Sequence, residues 1–176
     1  AEDRLILLRR HAAPTRAYDR FDRLVWKAIV LDIDQPLEAP AFFQMAAAAL
    51  APAVDLSEED LSVRFADREA TGSTVLLPGL AVPHVLLEGE GRFAMLMARC
   101  RGGVAFPGQA ERVHMLFVLA GTLDQRNQHL RVLAAIANLA QWADFEPRWL
   151  DAADAEALRT LVIDAPRRRL PEVSAA

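Results

Sequence analysis

Helix-forming and strand-forming patterns alternate along the chain. Residues 21–34 carry apolar positions ahead of a polar, proline-containing stretch, which indicates a short helix or strand. Residues 41–51 have a strongly helix-favouring composition, and Pro52 with Asp55 predicts the end of that helix. A capping-box-like start at residues 57–60 predicts a further helix, which ends at Gly72.

Apolar runs in the second half of the chain predict strands. Three such runs, residues 75–77, 92–100 and 112–120, are bounded by Gly, Pro or charged residues. The last run is apolar on both alternating faces, as expected for a central strand covered by helices on both sides. Two more helices are predicted, from Asn127 as N-cap to about residue 141, and over residues 153–162. The alternation favours a layered α/β domain.

Length and composition favour one domain. The chain has 176 residues, of which 53% are hydrophobic, enough to bury a full-sized core. We expect a leader or linker at residues 1–20, a domain at residues 21–165 and a flexible tail at residues 166–176. Because the chain lacks an initiating Met, we expect an excised fragment. The charged leader suits a link to a membrane transporter, but a trimmed tag or a native extension explains it equally well.

Charge and cysteine content narrow the classes of partner. The net charge is −4 with both signs interspersed, so no basic stripe predicts nucleic-acid binding. No apolar stretch approaches the roughly 18–20 residues of a membrane-spanning helix. A single cysteine, Cys100, and the lack of a basic-then-apolar leader indicate a cytoplasmic protein, with the inner face of the membrane as the alternative if a transporter is fused or bound.

Two short motifs and a later histidine carry the chemistry. Residues 68–74 read REATGST, residues 79–84 read GLAVPH, and His129 follows the predicted central strand. In order and spacing these motifs resemble enzyme IIA domains, fructose/mannitol type, of the bacterial phosphoenolpyruvate-dependent sugar phosphotransferase system, together with their nitrogen-regulatory and transporter-fused relatives. The resemblance covers residues 26–162.

The resemblance implies both a fold and a reaction. The fold would be a three-layer α/β sandwich with a mixed β-sheet flanked by helices on both faces. His84 would accept a phosphoryl group on Nε2 from a small phosphohistidine carrier protein that presents basic residues and an apolar patch. This phosphotransferase-type reaction needs no metal and no cofactor.

The residue types fit phosphoryl transfer on physical grounds as well. The reaction needs a positioned nucleophile, fixed positive charge and hydrogen-bond donors. The imidazole of His84 is largely neutral at cytoplasmic pH, and Pro83 stiffens the backbone before it. Arg68 shares a helical stripe with Leu61 and Phe65, so it needs an anionic partner, which is either the phosphoryl group or an ordinary carboxylate.

The remaining candidate residues have both functional and structural interpretations. The hydroxyls of Ser73 and Thr74 donate to the phosphoryl oxygens or stabilise a turn. His129, near a helix start, donates to the phosphoryl group or orients His84, or else is a surface residue. His114 is expected in the core and His11 in solvent. No two histidines have metal-ligand spacing, and no phosphate-binding glycine loop with an adjoining Lys is present.

Residues 75–78 and 85–90 depart from the family pattern. The first stretch lacks the family's small residues, and the second predicts an apolar and then acidic surface beside His84 that weakens docking of the usual carrier. Two alternatives to a phosphocarrier stay open: a regulatory domain of a membrane transporter, and a small-anion-binding module with a vestigial site. A homodimer also stays open, and the sugar is not predicted.

Overall fold

The computed structural model describes residues 18–169, which form six α-helices around one mixed β-sheet. In chain order the helices are α1 Arg20–Lys27, α2 Ala39–Val54, α3 Glu58–Ala70, α4 Arg126–Ala140, α5 Phe145–Asp151 and α6 Ala155–Asp164. A short 3₁₀ turn, Leu123–Gln125, precedes α4. Most of the predicted leader and most of the predicted tail lie outside the described residues.

Seven strands within residues 18–169 build the sheet. They are β1 Ile29–Ile33, β2 Leu37–Glu38, β3 Val75–Leu77, β4 Leu80–Ala81, β5 His84–Leu87, β6 Phe93–Ala105 and β7 Val113–Thr122. The long strands β6 and β7 pair antiparallel at the centre. Strands β1 and β2 run parallel to β6, β4 and β5 run parallel to β7, and β3 pairs antiparallel with β4.

The two faces of β7 pack into separate apolar layers. Leu116 and Val118 contact the layer that contains α2 and α3, whereas Phe117 and Leu119 contact the layer that contains α1, α4, α5 and α6. All four side chains are fully buried. This arrangement confirms the predicted central strand and the predicted three-layer α/β sandwich with helices on both faces of a mixed sheet.

Helix α3 begins where the sequence predicts. Ser57 is its N-cap, and the Ser57 hydroxyl accepts a hydrogen bond from the backbone N–H of Asp60 at 3.1 Å. The helix ends at Ala70, shortly before the predicted stop at Gly72. A local capping rule therefore places the helix that carries Arg68.

Helix α2 differs from its prediction because it continues through Pro52 to Val54. Proline in the last turn removes one backbone hydrogen bond, while the buried side chains of Leu50 and Val54 hold that turn against the sheet. The predicted part played by Asp55 is confirmed, because Asp55 is the C-cap and adopts the left-handed conformation with φ 55°. Tertiary packing thus overrides the helix-breaking tendency of Pro52.

Other boundaries also shift. Residues 21–34 form a helix and then a strand, and the last helix runs over Ala155–Asp164 rather than 153–162. Helix α4 begins at Arg126 after the 3₁₀ turn, so Asn127 is not its N-cap. The sequence analysis missed three strands of two to four residues, β2, β4 and β5, and the short helix α5.

The first residues of the predicted tail, including Arg167 and Arg169, are bonded to the domain. The Arg167 guanidinium donates to Asp19 and Asp22 at 2.7–2.9 Å, and Arg169 donates to Asp22 and to the Ile163 carbonyl. The side chain of Asp22 is fully buried, so this ion-pair cluster joins the two ends of the described chain.

None of the helices in residues 18–169 is by itself long and apolar enough to span a bilayer. Helices α2 and α3 pass that length and composition test only as a pair, which is bent by 118° at the break between them.

Candidate functional site

The backbone around His84 is fixed by a hairpin and by β7. Gly79 turns the chain between β3 and β4 with φ +84°, and a Cβ there would meet the Glu146 carboxylate at 3.1 Å. Beyond the hairpin, the Pro83 carbonyl accepts a hydrogen bond from the Leu119 N–H at 3.0 Å. His84 is the first residue of β5 and lies opposite Leu119 in the parallel register. The histidine therefore leaves from a rigid strand rather than from a loop.

A backbone contact sets the tautomer of His84. Its Nδ1 lies 2.6 Å from the Val82 carbonyl oxygen. Because a carbonyl oxygen only accepts hydrogen bonds, Nδ1 carries the proton and donates it. In the neutral ring the lone pair then belongs to Nε2. Pro83, which biases Val82 towards an extended conformation, helps to bring this carbonyl back to the ring.

Arg68 lies beside the unprotonated Nε2 of His84. Its Nη2 lies 3.5 Å from His84 Nε2, and its Nη1 donates to the Gly72 carbonyl at 2.9 Å. Within residues 18–169, no carboxylate forms an ion pair with Arg68. Of the two readings drawn from the sequence, the ordinary ion pair is absent from the described residues.

His129 packs against the ring of His84. The two ring centroids are 5.1 Å apart at an interplanar angle of 61°. The centroid of the Phe93 ring lies 6.1 Å from that of the His129 ring. His129 is only 3% exposed, so it is not a surface residue. Its Nδ1 is buried and has no hydrogen-bond partner among the residues that the structure describes.

Burial keeps both histidines neutral. Burial, with a smaller contribution from His84, lowers the pKa of His129 to about 4. The pKa of His84 is also below its usual value, chiefly because of burial and secondarily because of the Arg68 charge, although the Val82 hydrogen bond opposes the shift. A neutral His84 has a lone pair on Nε2. The site therefore favours this unprotonated form at neutral pH.

Ser73 and Thr74 form hydrogen bonds away from the pocket that contains His84. The Thr74 backbone N–H donates to the Glu69 carboxylate at 3.1 Å and the Thr74 hydroxyl donates to the same carboxylate at 2.5 Å. The Ser73 hydroxyl accepts from the Val75 N–H at 3.1 Å. Neither residue is among those that line the pocket. The structure therefore brings His84, Arg68 and His129 together, and places the two hydroxyls beside them in turn-stabilising contacts.

An open pocket of about 510 Å³ lies over His84. Its walls come from α3, β5 and α4, and its lining residues are Arg64, Asp67, Arg68, His84, Val85, Leu86, Arg126, His129, Leu130 and Leu133. Arg64 and Arg126 were missed by the sequence analysis. Their spacing was a usable signal, because Arg64 precedes Arg68 by one helical turn and Arg126 precedes His129 by three residues.

One of two surface predictions beside the site needs correction. Val85 and Leu87 are buried against the core, so only Leu86 of this run is exposed, at 36%. The predicted apolar surface after His84 therefore shrinks to one side chain, because alternate residues of β5 point to the core. Glu88 and Glu90 are exposed as predicted.

The other histidines are not part of this site. His114 is half-buried in β7, and its Nδ1 lies 2.9 Å from the Cys100 carbonyl oxygen. His11 lies outside the described residues. Within residues 18–169, no group of three or more His, Cys, Asp or Glu side chains is arranged to hold a metal ion.

Known proteins share both the sequence pattern and the fold. Residues 27–165 match the family "Phosphoenolpyruvate-dependent sugar phosphotransferase system, EIIA 2". A nitrogen regulatory protein of Pseudomonas aeruginosa is 33% identical over 114 residues, which cover 62% of this chain and 74% of that protein. The fructose-specific EIIABC component of Bacillus subtilis is 25% identical over 97 residues, 54% of this chain but only 15% of that protein.

A solved structure gives the same fold. The crystal structure of nitrogen regulatory protein IIA-Ntr from Neisseria meningitidis superposes with a TM-score of 0.72 at 24% identity, covering 82% of this chain and 99% of that one. The match to the family extends over most of the chain and includes His84, Arg68 and His129. The chain therefore belongs to the EIIA 2 family of the phosphoenolpyruvate-dependent sugar phosphotransferase system.

Proposed function

We propose that the chain is a phosphocarrier domain in which Nε2 of His84 accepts a phosphoryl group from a phosphohistidine carrier protein. The observation that carries this proposal is the hydrogen bond from Nδ1 to the Val82 carbonyl at 2.6 Å. It leaves a lone pair on Nε2, beside the Arg68 guanidinium and towards the pocket. This arrangement provides a positioned nucleophile and a fixed positive charge in one place.

The transfer balances without a base or a metal. His84 Nε2 attacks the phosphorus, the phosphorus–nitrogen bond of the donor breaks, and its electron pair returns to the donor imidazole. The proton on His84 Nδ1 stays in its hydrogen bond to Val82 throughout. Arg68 offsets charge on the phosphoryl oxygens, and His129 restricts rotation of the His84 ring by packing against it.

A regulatory role is the second candidate. It is supported by the nitrogen regulatory relative, because the chain covers 74% of that protein at 33% identity. In this version, the phosphorylation state of His84 changes the binding of a partner, such as a membrane transporter component. The phosphoryl group is not passed on to a sugar. Both versions place the protein in the cytoplasm or at the inner face of the membrane.

Intact-mass measurement tests the proposed reaction. The purified chain is incubated with phosphoenolpyruvate and the general phosphotransfer proteins, alongside His84→Ala and the control His114→Gln. We expect one acid-labile phosphoryl group on the wild type and on the control, and none on His84→Ala. A wild-type chain that is folded yet remains unmodified would instead support a regulatory or anion-binding domain with a vestigial site.

A further inference from the structure

Two arginines at the mouth of the His84 pocket form no ion pair among residues 18–169. Arg64 on α3 and Arg126 at the start of α4 are both exposed, and neither forms an ion pair within the described part of the chain. Elsewhere in residues 18–169, Arg99 and Arg101 are paired with carboxylates at 2.7–3.0 Å. The pocket mouth therefore keeps free positive charge that other parts of the fold neutralise.

The local charge is opposite in sign to that of the whole molecule. Among the lining residues three arginines face one carboxylate, Asp67, which gives +3 − 1 = +2. The complete chain carries −4. Of the three arginines, only Arg68 is within 3.5 Å of His84 Nε2, where a phosphoryl group would bind. Arg64 and Arg126 are thus available to a molecule that approaches the site.

Exposed leucines accompany these charges. Leu130 is 54% exposed and Leu86 is 36% exposed, and both line the same pocket. Arginine is enriched at protein–protein interfaces, where apolar groups supply buried area and charges supply orientation. The pocket mouth therefore has the composition of a protein-docking surface rather than of a small-molecule site alone.

We propose that Arg64 and Arg126 select a protein partner whose docking face is acidic, with carboxylates around its own phosphorylatable histidine. This inference rests on the proposed function, since it names the partner of the same site. It also predicts that a basic carrier, of the kind that the family resemblance implies, docks more weakly than an acidic one, because like charges would face each other across the interface. The exposed Glu88 and Glu90 do not line this pocket, so they do not enter its local charge.

A charge-swap binding experiment tests this proposal. The probes are the unphosphorylated histidine carrier protein in its native basic form and a variant with glutamates in place of the basic residues on its docking face. Each is titrated into the wild-type chain and into R64E/R126E by calorimetry. The matched control is the double variant R20E/R131E. It changes the net charge by the same amount as R64E/R126E, but both of its positions lie outside the His84 pocket.

We expect the wild-type chain to bind the glutamate form about tenfold more tightly than the native form at low ionic strength, with the difference shrinking as salt is raised. R64E/R126E should reverse this preference, and the control should keep it. Equal affinity for both forms, no binding of either, or an unreversed preference would overturn the proposal. Because the readout is binding alone, it does not depend on whether His84 is phosphorylated.

Discussion

Two contacts act on different atoms of the His84 ring. The Val82 carbonyl holds the proton on Nδ1, and Arg68 lies beside Nε2. The first contact determines which nitrogen has the lone pair, and the second supplies the positive charge that the transferred phosphoryl group requires. Replacing either contact would alter a different part of the reaction, because one concerns the nucleophile and the other the anion.

The depressed pKa of His129 predicts a pH-dependent stability. An unfolded histidine titrates near 6.5, whereas the pKa of His129 in the fold is about 4. Between these values the unfolded chain binds more protons, so the free energy of unfolding should fall as the pH decreases from about 6.5 to 4. The full effect is about 3 kcal/mol. Urea denaturation at a series of pH values measures it.

The variant His129→Phe isolates this contribution. Its total stability will differ from that of the wild type, but its loss of stability between about pH 6.5 and pH 4 should be smaller by about 3 kcal/mol. His84, whose pKa is lowered in the same direction, should supply the residual slope. Parallel pH profiles for the wild type and the variant would contradict the assignment of His129 as a buried neutral histidine.

At the scale of elements, the end of α3 is fastened to the strand that follows it. Glu69, in the last turn of α3, accepts hydrogen bonds from the backbone and hydroxyl of Thr74, just before β3. Because Arg68 is the adjacent residue, this link positions the arginine relative to the hairpin that leads to His84. Thr74 therefore influences the site indirectly, by holding Glu69 and with it the end of the helix that carries Arg68.

Thr74→Val distinguishes this role from direct phosphoryl contact. Loss of the hydroxyl leaves the half-buried Glu69 carboxylate short of one donor, so the free energy of unfolding should decrease by about 1–2 kcal/mol, as read from thermal or urea denaturation. The amount of phosphohistidine formed by the folded variant should stay close to that of the wild type. A stable variant with strongly impaired phosphorylation would mean that the hydroxyl contacts the phosphoryl group.

Local rules predicted the long elements and the short strand β3 but missed the other short ones. Ser57 marked the start of α3 because an N-cap is a property of a few neighbouring residues. Strands β4 and β5, with two and four residues, have too few positions to show a period, and their pairing with β7 is set by the tertiary fold. Pro52 misled for a related reason, since the burial of α2 outweighs one lost hydrogen bond.

The candidate site was predictable in part, for the same reasons. Arg68 followed from its helical stripe with two buried apolar residues, and His84 and His129 followed from the motifs that resemble the family. The exposed arginines Arg64 and Arg126 lie on helices that meet only in the folded chain. The spacing of each arginine to Arg68 or His129 is visible in the sequence. That the two arginines share one pocket mouth is visible only in the folded chain.

At the scale of the whole molecule, one buried arginine joins β6, β1 and α5. The Arg99 side chain is fully buried, donates to both oxygens of Asp32 at 2.7–2.9 Å, and donates to the carbonyls of Trp149, Leu150 and Ala152. These carbonyls lie at the C-terminal end of α5, where backbone acceptors lack helical partners. Arg99 therefore connects the sheet to one helical layer through charge and hydrogen bonds.

Asp32→Asn tests how strongly this connection stabilises the fold. The substitution leaves the buried guanidinium without its main counter-charge, so the free energy of unfolding should decrease by about 3 kcal/mol in urea denaturation. Asp34→Asn is the matched control, since Asp34 is largely exposed and, among residues 18–169, forms an ion pair only with Arg101; its effect should stay within about 0.5 kcal/mol. Similar effects for the two variants would remove Arg99 from this role.

The three layers of the molecule converge at the proposed phosphoryl site. His84 comes from the sheet, Arg68 from α3 in one helical layer, and His129 from α4 in the other. Arg68 and His84 each donate to a nearby backbone carbonyl, and His129 packs against the rings of His84 and Phe93, so the geometry at Nε2 is present before any partner binds. This preorganisation is the central claim of the proposed mechanism.

Nuclear magnetic resonance of the phosphorylated chain with ¹⁵N-labelled histidine tests that claim most directly. Two-bond proton–nitrogen correlations distinguish Nδ1 from Nε2 in each imidazole ring, and a bound phosphoryl group shifts the nitrogen that carries it. We expect the phosphoryl group on Nε2 of His84, with Nδ1 still protonated and donating to Val82. A phosphoryl group on Nδ1 of His84 or on His129, or no phosphoryl group on a folded chain, would contradict the mechanism.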